Sequence, residues 1–327
     1  MNRPAEAGRA RVAIVGAPTV EGTHLRQALA EHGVPGRQVD LYGSTAGEVV
    51  LSEYAGEARL IQDPELEEVA RHELIFVCES GEVVSRLAAA APSSVIIDLG
   101  EFLPGEASTR PVRLEVEPEA ARGGTRFAVP HPLALVLAEV LRPLESGFGV
   151  AEAMAVVIRP AADFGQEGVE ELREQTVGLL NFSSVPVATF GRQLAFNIIP
   201  GARVAGAGRA LESRLAREVT GLVGWDERRV TVRLLAAPLF HGHALQLRFR
   251  LVRPAALAAV RSALDQPGLL SGQEAATPLD VPGDACTRVS DLSEDGLGGF
   301  WLWGVVGEAA SRSARQAVKL AAALHAL

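Results

Sequence analysis

Phe240-His241-Gly242-His243 is a stretch of this sequence equipped to move a proton. An imidazole titrates near neutral pH, and a neighbouring glycine lets the chain hold it at the start of a strand. The two histidines stand at i and i+2, so on a strand they share a face. That spacing suits a catalytic base or half of a metal site, but no third ligand lies nearby in sequence. An ordinary surface or core histidine is the competing reading for both, and His243 is the candidate base.

Gly16-Ala17-Pro18-Thr19-Val20-Glu21-Gly22 lies between a strand and a helix, where backbone N–H groups can cradle a pyrophosphate. Only the outer glycines are present. Pro18 removes one N–H, and Glu21 sets a negative charge beside any phosphate. A phosphate cradle and a turn kept for packing are both open readings. The cofactor-binding candidates are Gly16, Thr19, Val20, Glu21 and Gly22, with Ser44 at the end of the second strand. That strand end, Tyr42-Gly43-Ser44-Thr45, holds neither an acid for a ribose 2′-hydroxyl nor an arginine for a 2′-phosphate. Thiol chemistry has two sources, Cys78 and Cys286. Neither has a histidine close in sequence, so both read as inert. In Val129-Pro130-His131-Pro132 the two prolines fix a turn, and His131 reads as structural.

The elements that must position these residues fall into two groups. From Arg11 to Leu141, strands alternate with helices: strands at Arg11–Gly16, Val39–Tyr42, Leu74–Cys78, Val95–Leu99 and Arg126–Val129, helices at Val20–His32, Glu65–Arg71, Glu82–Ala91 and Leu133–Leu141. Alternation of that kind predicts a parallel sheet covered on both faces, in the dinucleotide-binding manner. The second part predicts strands at Ala153–Arg159 and Phe300–Val306, a long helix at Gly165–Leu180, and two alternating strands, Val230–Ala236 and His243–Val252, that look paired. A helix over Pro254–Leu264 has proline in its first turn. The last helix, Ala309–Leu327, is apolar along a broad stripe and should pack on the first domain. Trp301 and Trp303 suit a sheet or subunit contact. The fold class is α/β: an N-terminal Rossmann-like parallel-sheet domain plus an α+β dimerisation domain with a mostly antiparallel sheet. The predicted boundaries are 1–132 with the C-terminal helix 307–327, and 133–306.

Composition removes several functions. Among 327 residues the net charge is −9, which argues against a nucleic-acid partner. Lys319 is the sole lysine, so Schiff-base chemistry is excluded from the core. Two cysteines cannot build a disulfide framework or a four-thiolate zinc site. They suit a reducing cytoplasm. No apolar stretch reaches membrane-spanning length, and Met1–Ala10 reads as a short tail. No metal and no membrane are expected.

Several stretches resemble the aspartate-semialdehyde dehydrogenase family, over nearly the whole chain. They are Val12-Ala13-Ile14-Val15-Gly16-Ala17, Val95-Ile96-Ile97-Asp98, Gly168-Val169-Glu170-Glu171-Leu172 and Pro238-Leu239-Phe240 with Gly242-His243, then Thr277-Pro278-Leu279-Asp280. The rarest is Gln193-Leu194-Ala195-Phe196-Asn197-Ile198-Ile199-Pro200. The resemblance implies a homodimer using NADP, in which a cysteine thiolate attacks the aldehyde and phosphate releases the acyl group. It also implies that the family's cysteine falls on Pro132, its loop arginine on Leu103 and its carboxylate-binding arginine on Ala236. The family's Ser-Gly-Ala-Gly falls on Ala162-Asp163-Phe164-Gly165, and the glutamine before it on Arg159. His243 matches the base, while Glu212 and Arg214 match substrate-binding positions. The chain is thus most similar to the cysteine-less Usg-type homologues. The function expected is that of a catalytically inactive dimeric homologue. The alternative is an NAD(P)-dependent oxidoreductase acting on an aldehyde or oxo group in amino-acid biosynthesis by a thiol-independent route.

Overall fold

The computed structural model describes residues 11–45, 49–100, 102–103, 110–111, 125–201, 208–272, 274–281, 286–307, 309–324 and 326–327. The Met1–Ala10 tail and the Gly283-Asp284-Ala285 approach to Cys286 lie outside them. The chain divides into a unit of Met1–Pro132 with Ala310–Leu327 and a unit of Leu133–Ala309.

The first unit carries β1 (Val12–Val15), α1 (Val20–Glu31), β2 (Val39–Tyr42), β3 (Val50–Tyr54), β4 (Glu57–Gln62), α2 (Leu66–Val69), β5 (Leu74–Val77), α3 (Glu82–Ala90), β6 (Val95–Asp98), β7 (Arg110–Pro111) and β8 (Arg126–Ala128). Their sheet runs β3-β4-β2-β1-β5-β6-β8-β7. Every pairing is parallel except β3 with β4. The central strands are apolar runs because both faces are covered. Val12, Ile14 and Phe76 meet Leu25 and Leu29 of α1 and Ala317 and Leu320 of the C-terminal helix, Ala310–Ala323. Ala13, Val15 and Ile75 meet Val69, Val84 and Leu87 on the other face. The last helix therefore returns to the first sheet, as its apolar stripe requires.

The second unit carries α4 (Pro132–Phe148), β9 (Val150–Arg159), α5 (Gly165–Leu180), β10 (Ile199–Pro200), α6 (Gly208–Val223), β11 (Val230–Ala236), β12 (His243–Leu251), α7 (Leu257–Ala263), β13 (Leu269–Ser271), β14 (Thr287–Glu294) and β15 (Phe300–Val306); Pro132 itself is assigned to the first unit. The sheet runs β10-β11-β9-β12-β15-β14-β13 and is mostly antiparallel. Three local expectations are corrected. β11 and β12 do not pair with each other; β9 lies between them, parallel to β11 and antiparallel to β12. α4 does not stop at Leu141 but runs through Pro143. Leu144 beyond the proline is fully buried, which offsets much of the roughly 3 kcal/mol an interior proline costs. Pro254 stands before α7 and outside it.

Candidate functional site

Two places gather the sequence candidates, one in each unit. In the first unit, α1 starts from a tightly bonded turn. The Thr19 side chain accepts the Gly22 N–H at 3.0 Å as an N-cap and donates to the Gly16 carbonyl at 2.8 Å. Gly16 and Ala17 both donate N–H bonds to the Tyr42 carbonyl, and Thr19 N–H donates to the Gly16 carbonyl. Gly22 permits the close approach, since a Cβ there would stand 2.1 Å from the Gly16 oxygen. The backbone donors of Gly16, Ala17, Thr19 and Gly22 are thus all committed inside the protein. Val20 and Ser44 are exposed, while Glu21 is half-buried.

Cys78 lies under this turn and is fully buried. Burial pushes its thiol well up, and the carboxylates of Glu21, Asp98 and Glu79 push it further. Asp98 closes on its own loop: its carboxylate accepts the N–H groups of Gly100, Phe102 and Leu103. Leu103 is buried in the apolar layer beside Val84 and Leu87. Pro132 is the first helical residue of α4, where a missing N–H costs nothing.

In the second unit, neighbouring ends of β9, β11 and β12 bring Arg159, Ala236 and His243 together. Arg159 and Ala236 are register partners across the parallel β9–β11 pair. Gly242 (φ +79°) turns the chain into β12, and a Cβ there would press on Pro278. After β9 the chain makes a 3-10 turn, Ala161–Phe164, tied back by Ala161 N–H to the Leu239 carbonyl and Ala162 N–H to the Phe240 carbonyl. That turn aims Asp163 at both Arg159 and His243. Its carboxylate pairs with Arg159 Nε on one oxygen, and the other oxygen stands 3.1 Å from His243 Nε2. The latter approach is off the line of a directed hydrogen bond. Phe164 supports the guanidinium from below at 4.4 Å and meets Phe190 edge-on.

Arg159 and His243 are 6% and 5% exposed. Burial alone would raise the Asp163 carboxyl, but Arg159 and His243 outweigh it and hold the group well below the usual carboxylate range. Asp163 does not satisfy the whole cluster. Arg159 Nη1 and both ring nitrogens of His243 are buried with no directed hydrogen-bond partner.

The remaining candidates stand apart from this cluster. Glu212 is buried on α6 and gives one oxygen to Arg233 at 2.7 Å and the other to the Leu234 N–H at 3.0 Å. Arg214 pairs with Glu218 one helical turn on. His241 is exposed. Among the described residues no group of three metal-ligating side chains occurs, and no helix is long and apolar enough to cross a membrane. Sequence reasoning passed over Arg159 and Asp163 as sites. Their i, i+4 charge complementarity at a strand end was the available signal.

A family profile described as semialdehyde dehydrogenase, dimerisation domain, matches residues 141–282. A USG-1 protein homolog from Azotobacter vinelandii is 31% identical over 288 residues, spanning 84% of this chain and 83% of that protein. Another from Pseudomonas aeruginosa is also 31% identical, over 78% of this chain and 77% of its own length. The structure of a probable aspartate-semialdehyde dehydrogenase from Pseudomonas aeruginosa superposes with a TM-score of 0.84 at 27% identity, covering 96% of this chain and 98% of that one.

Proposed function

The chain belongs to the aspartate-semialdehyde dehydrogenase family and is Usg-like, and from that premise we propose a dimeric member that does not run a thiol-based semialdehyde oxidation. One observation carries the reading. His243, the imidazole a reactive thiol would need, faces Asp163, which is itself paired with Arg159. Further support comes from Pro132 at the position where the resemblance sets a cysteine, and from Cys78, buried beside three carboxylates. A thiol under those conditions stays protonated and shielded. In this reading unit Leu133–Ala309 is the dimerisation domain, and unit Met1–Pro132 with Ala310–Leu327 is the nucleotide-binding one. NADP is a weak ligand at most: the Gly16–Gly22 turn spends four of its backbone donors internally. Glu212 and Arg214 brace α6 and carry no substrate. The protein works in the cytoplasm, where its two cysteines remain thiols.

The test is a phosphate-dependent reduction of NADP with aspartate semialdehyde, run at high protein concentration with and without a thiol-blocking reagent. The expected result is no turnover above background. Turnover abolished by the reagent would sink the proposal.

A further inference from the structure

β3 is the outer strand of the first sheet, and among the described residues no strand pairs with its free side. The turn joining it to β4 sets which backbone groups face that side. Ala55 and Gly56 form a two-residue turn with φ of +51° and +82°. In hairpins of that type the two flanking residues exchange hydrogen bonds. Those residues are Tyr54 and Glu57, and bonded pairs then recur at every second position, Ser52 with Arg59 and Val50 with Ile61. The N–H and C=O groups of Val49, Leu51 and Glu53 therefore point away from β4. On the open face of the hairpin, Val49 is 82% exposed, Leu51 67%, and Leu60, the register partner of Leu51, 48%.

Free strand edges are ordinarily blunted by lysine, proline or a bulge. Residues 49–54 contain no lysine or proline, and their register with β4 runs without a shift. One cover is present. Arg26 of α1 donates through Nη1 to the Glu53 carbonyl at 2.6 Å and to the Ser52 hydroxyl, and through Nη2 to the Thr23 hydroxyl at 3.0 Å. It occupies one outward acceptor and leaves those of Leu51 open.

We propose that the free side of β3 pairs with β3 of a second copy, antiparallel and centred on Leu51, and that Arg26 limits this pairing. The contact lies in the unit of Met1–Pro132, outside the segment matched as a dimerisation domain, and so goes beyond the reading above. Outward groups at Val49, Leu51 and Glu53 are symmetric about Leu51. A two-fold axis there sets Leu51 opposite the partner's Leu51, and Val49 opposite the partner's Glu53. Leu60, Leu51 and their two counterparts then form one apolar row across four strands. An in-register parallel pairing would instead place the two Glu53 carboxylates side by side, which is unfavourable. The Val49 N–H of each copy must bond the partner's Glu53 carbonyl, the atom Arg26 holds, so the ladder completes only when Arg26 lets go. One strand pair buries less than the about 800 Å² per partner of a standard interface, so the association is weak and concentration-dependent.

The experiment oxidises the full-length Leu51→Cys chain at high protein concentration and reads covalent dimer on a denaturing gel. Opposed residues of a hydrogen-bonded antiparallel pair have Cα atoms about 5.5 Å apart, within disulfide reach. Glu53→Cys is the register control, since two copies of it would stand about 14 Å apart along the strands. Wild type, whose own thiols are Cys78 and Cys286, sets the background. Leu51→Cys should give about fivefold more dimer than either. Adding Arg26→Ala should raise the yield about threefold further, and Arg26→Gln, which keeps more of the side chain's packing, should raise it in the same direction. Yield at the wild-type level overturns the proposal. So does equal yield from Leu51→Cys and Glu53→Cys, or a yield that neither Arg26 variant increases. Light scattering of the reduced wild type reports the dimer of the reading above, so either idea can fail while the other stands.

Discussion

The turn at the head of α1 and the cluster at the end of β9 are where the candidate residues gather, one in each unit, yet they hold their polar groups in opposite ways. At the turn, backbone donors from Gly16 to Gly22 are bonded inward and one side chain, Thr19, closes the helix end. At the cluster, a buried cation and a buried imidazole share one carboxylate and still have nitrogens to spare. A saturated turn contributes mainly packing, whereas a buried charged group with unmet donors retains the means to bind something.

The largest effect should come from splitting the charged cluster. Arg159→Leu leaves the Asp163 carboxylate buried with only His243 beside it. The cost should be about 3–5 kcal/mol, the usual penalty for orphaning one member of a buried pair. Arg159→Leu with Asp163→Leu should recover much of that loss, since no charge is then stranded. Urea unfolding of both variants checks this, and a single-variant cost below about 1 kcal/mol would mean the pair behaves as a solvated surface contact.

The turn should respond through sterics instead. Gly22→Ala places a methyl 2.1 Å from the Gly16 oxygen, against backbone that cannot yield cheaply. A loss of about 1–3 kcal/mol is expected, in the overpacking range. Thermal unfolding measures it. A variant as stable as wild type would show that the turn is loose and its donors less committed than their bonds indicate.

The difference between the regions also explains what the sequence could disclose. β1, β5 and β6 were legible because a strand buried on both faces is an unbroken apolar run. α1 was legible from its apolar spacing, with Leu25, Ala28 and Leu29 on one face. The cluster was not, because it depends on which strands are neighbours. Val230–Ala236 and His243–Leu251 alternate in the same way and invite pairing, but β9 inserts between them. The resemblance sets Arg159 and Ala236 on positions of one site, but without that strand order nothing in the residues themselves puts them side by side. Period-2 alternation reports which face is buried and is silent on partner choice. Pro143 misled for a related reason: local propensity ends a helix there, and the burial of Leu144 extends it.

The pH dependence of stability gives a finer separation. Asp163 has a depressed carboxyl in the folded chain. Its contribution is therefore present above the ordinary carboxylate pKa of about 4 and fades as pH falls below that value toward the folded one. The gap in urea midpoint between wild type and Asp163→Asn should narrow steadily as pH falls from about 4 to 3. Every other carboxylate is common to both proteins and cancels in the difference. A gap that widens on acidification would reverse the sign and show that Asp163 is not held ionised.

The smallest effect should come from Thr19→Ala. It removes the acceptor for the Gly22 N–H and the donor to the Gly16 carbonyl, at a site half open to water. An N-cap loss of about 1 kcal/mol is expected. The variant is useful because it bears on binding as well as stability. Without the Thr19 hydroxyl, the Gly22 N–H becomes available at the N-terminus of α1, where an anion is favoured. If the turn is closed only by its own cap, Thr19→Ala should raise its affinity for pyrophosphate above the wild type's, read by titration calorimetry. No gain would place the obstruction in Pro18 and Glu21, the residues that withhold a donor and add a negative charge, and the turn would then differ from the cluster in chemistry as well as in bonding.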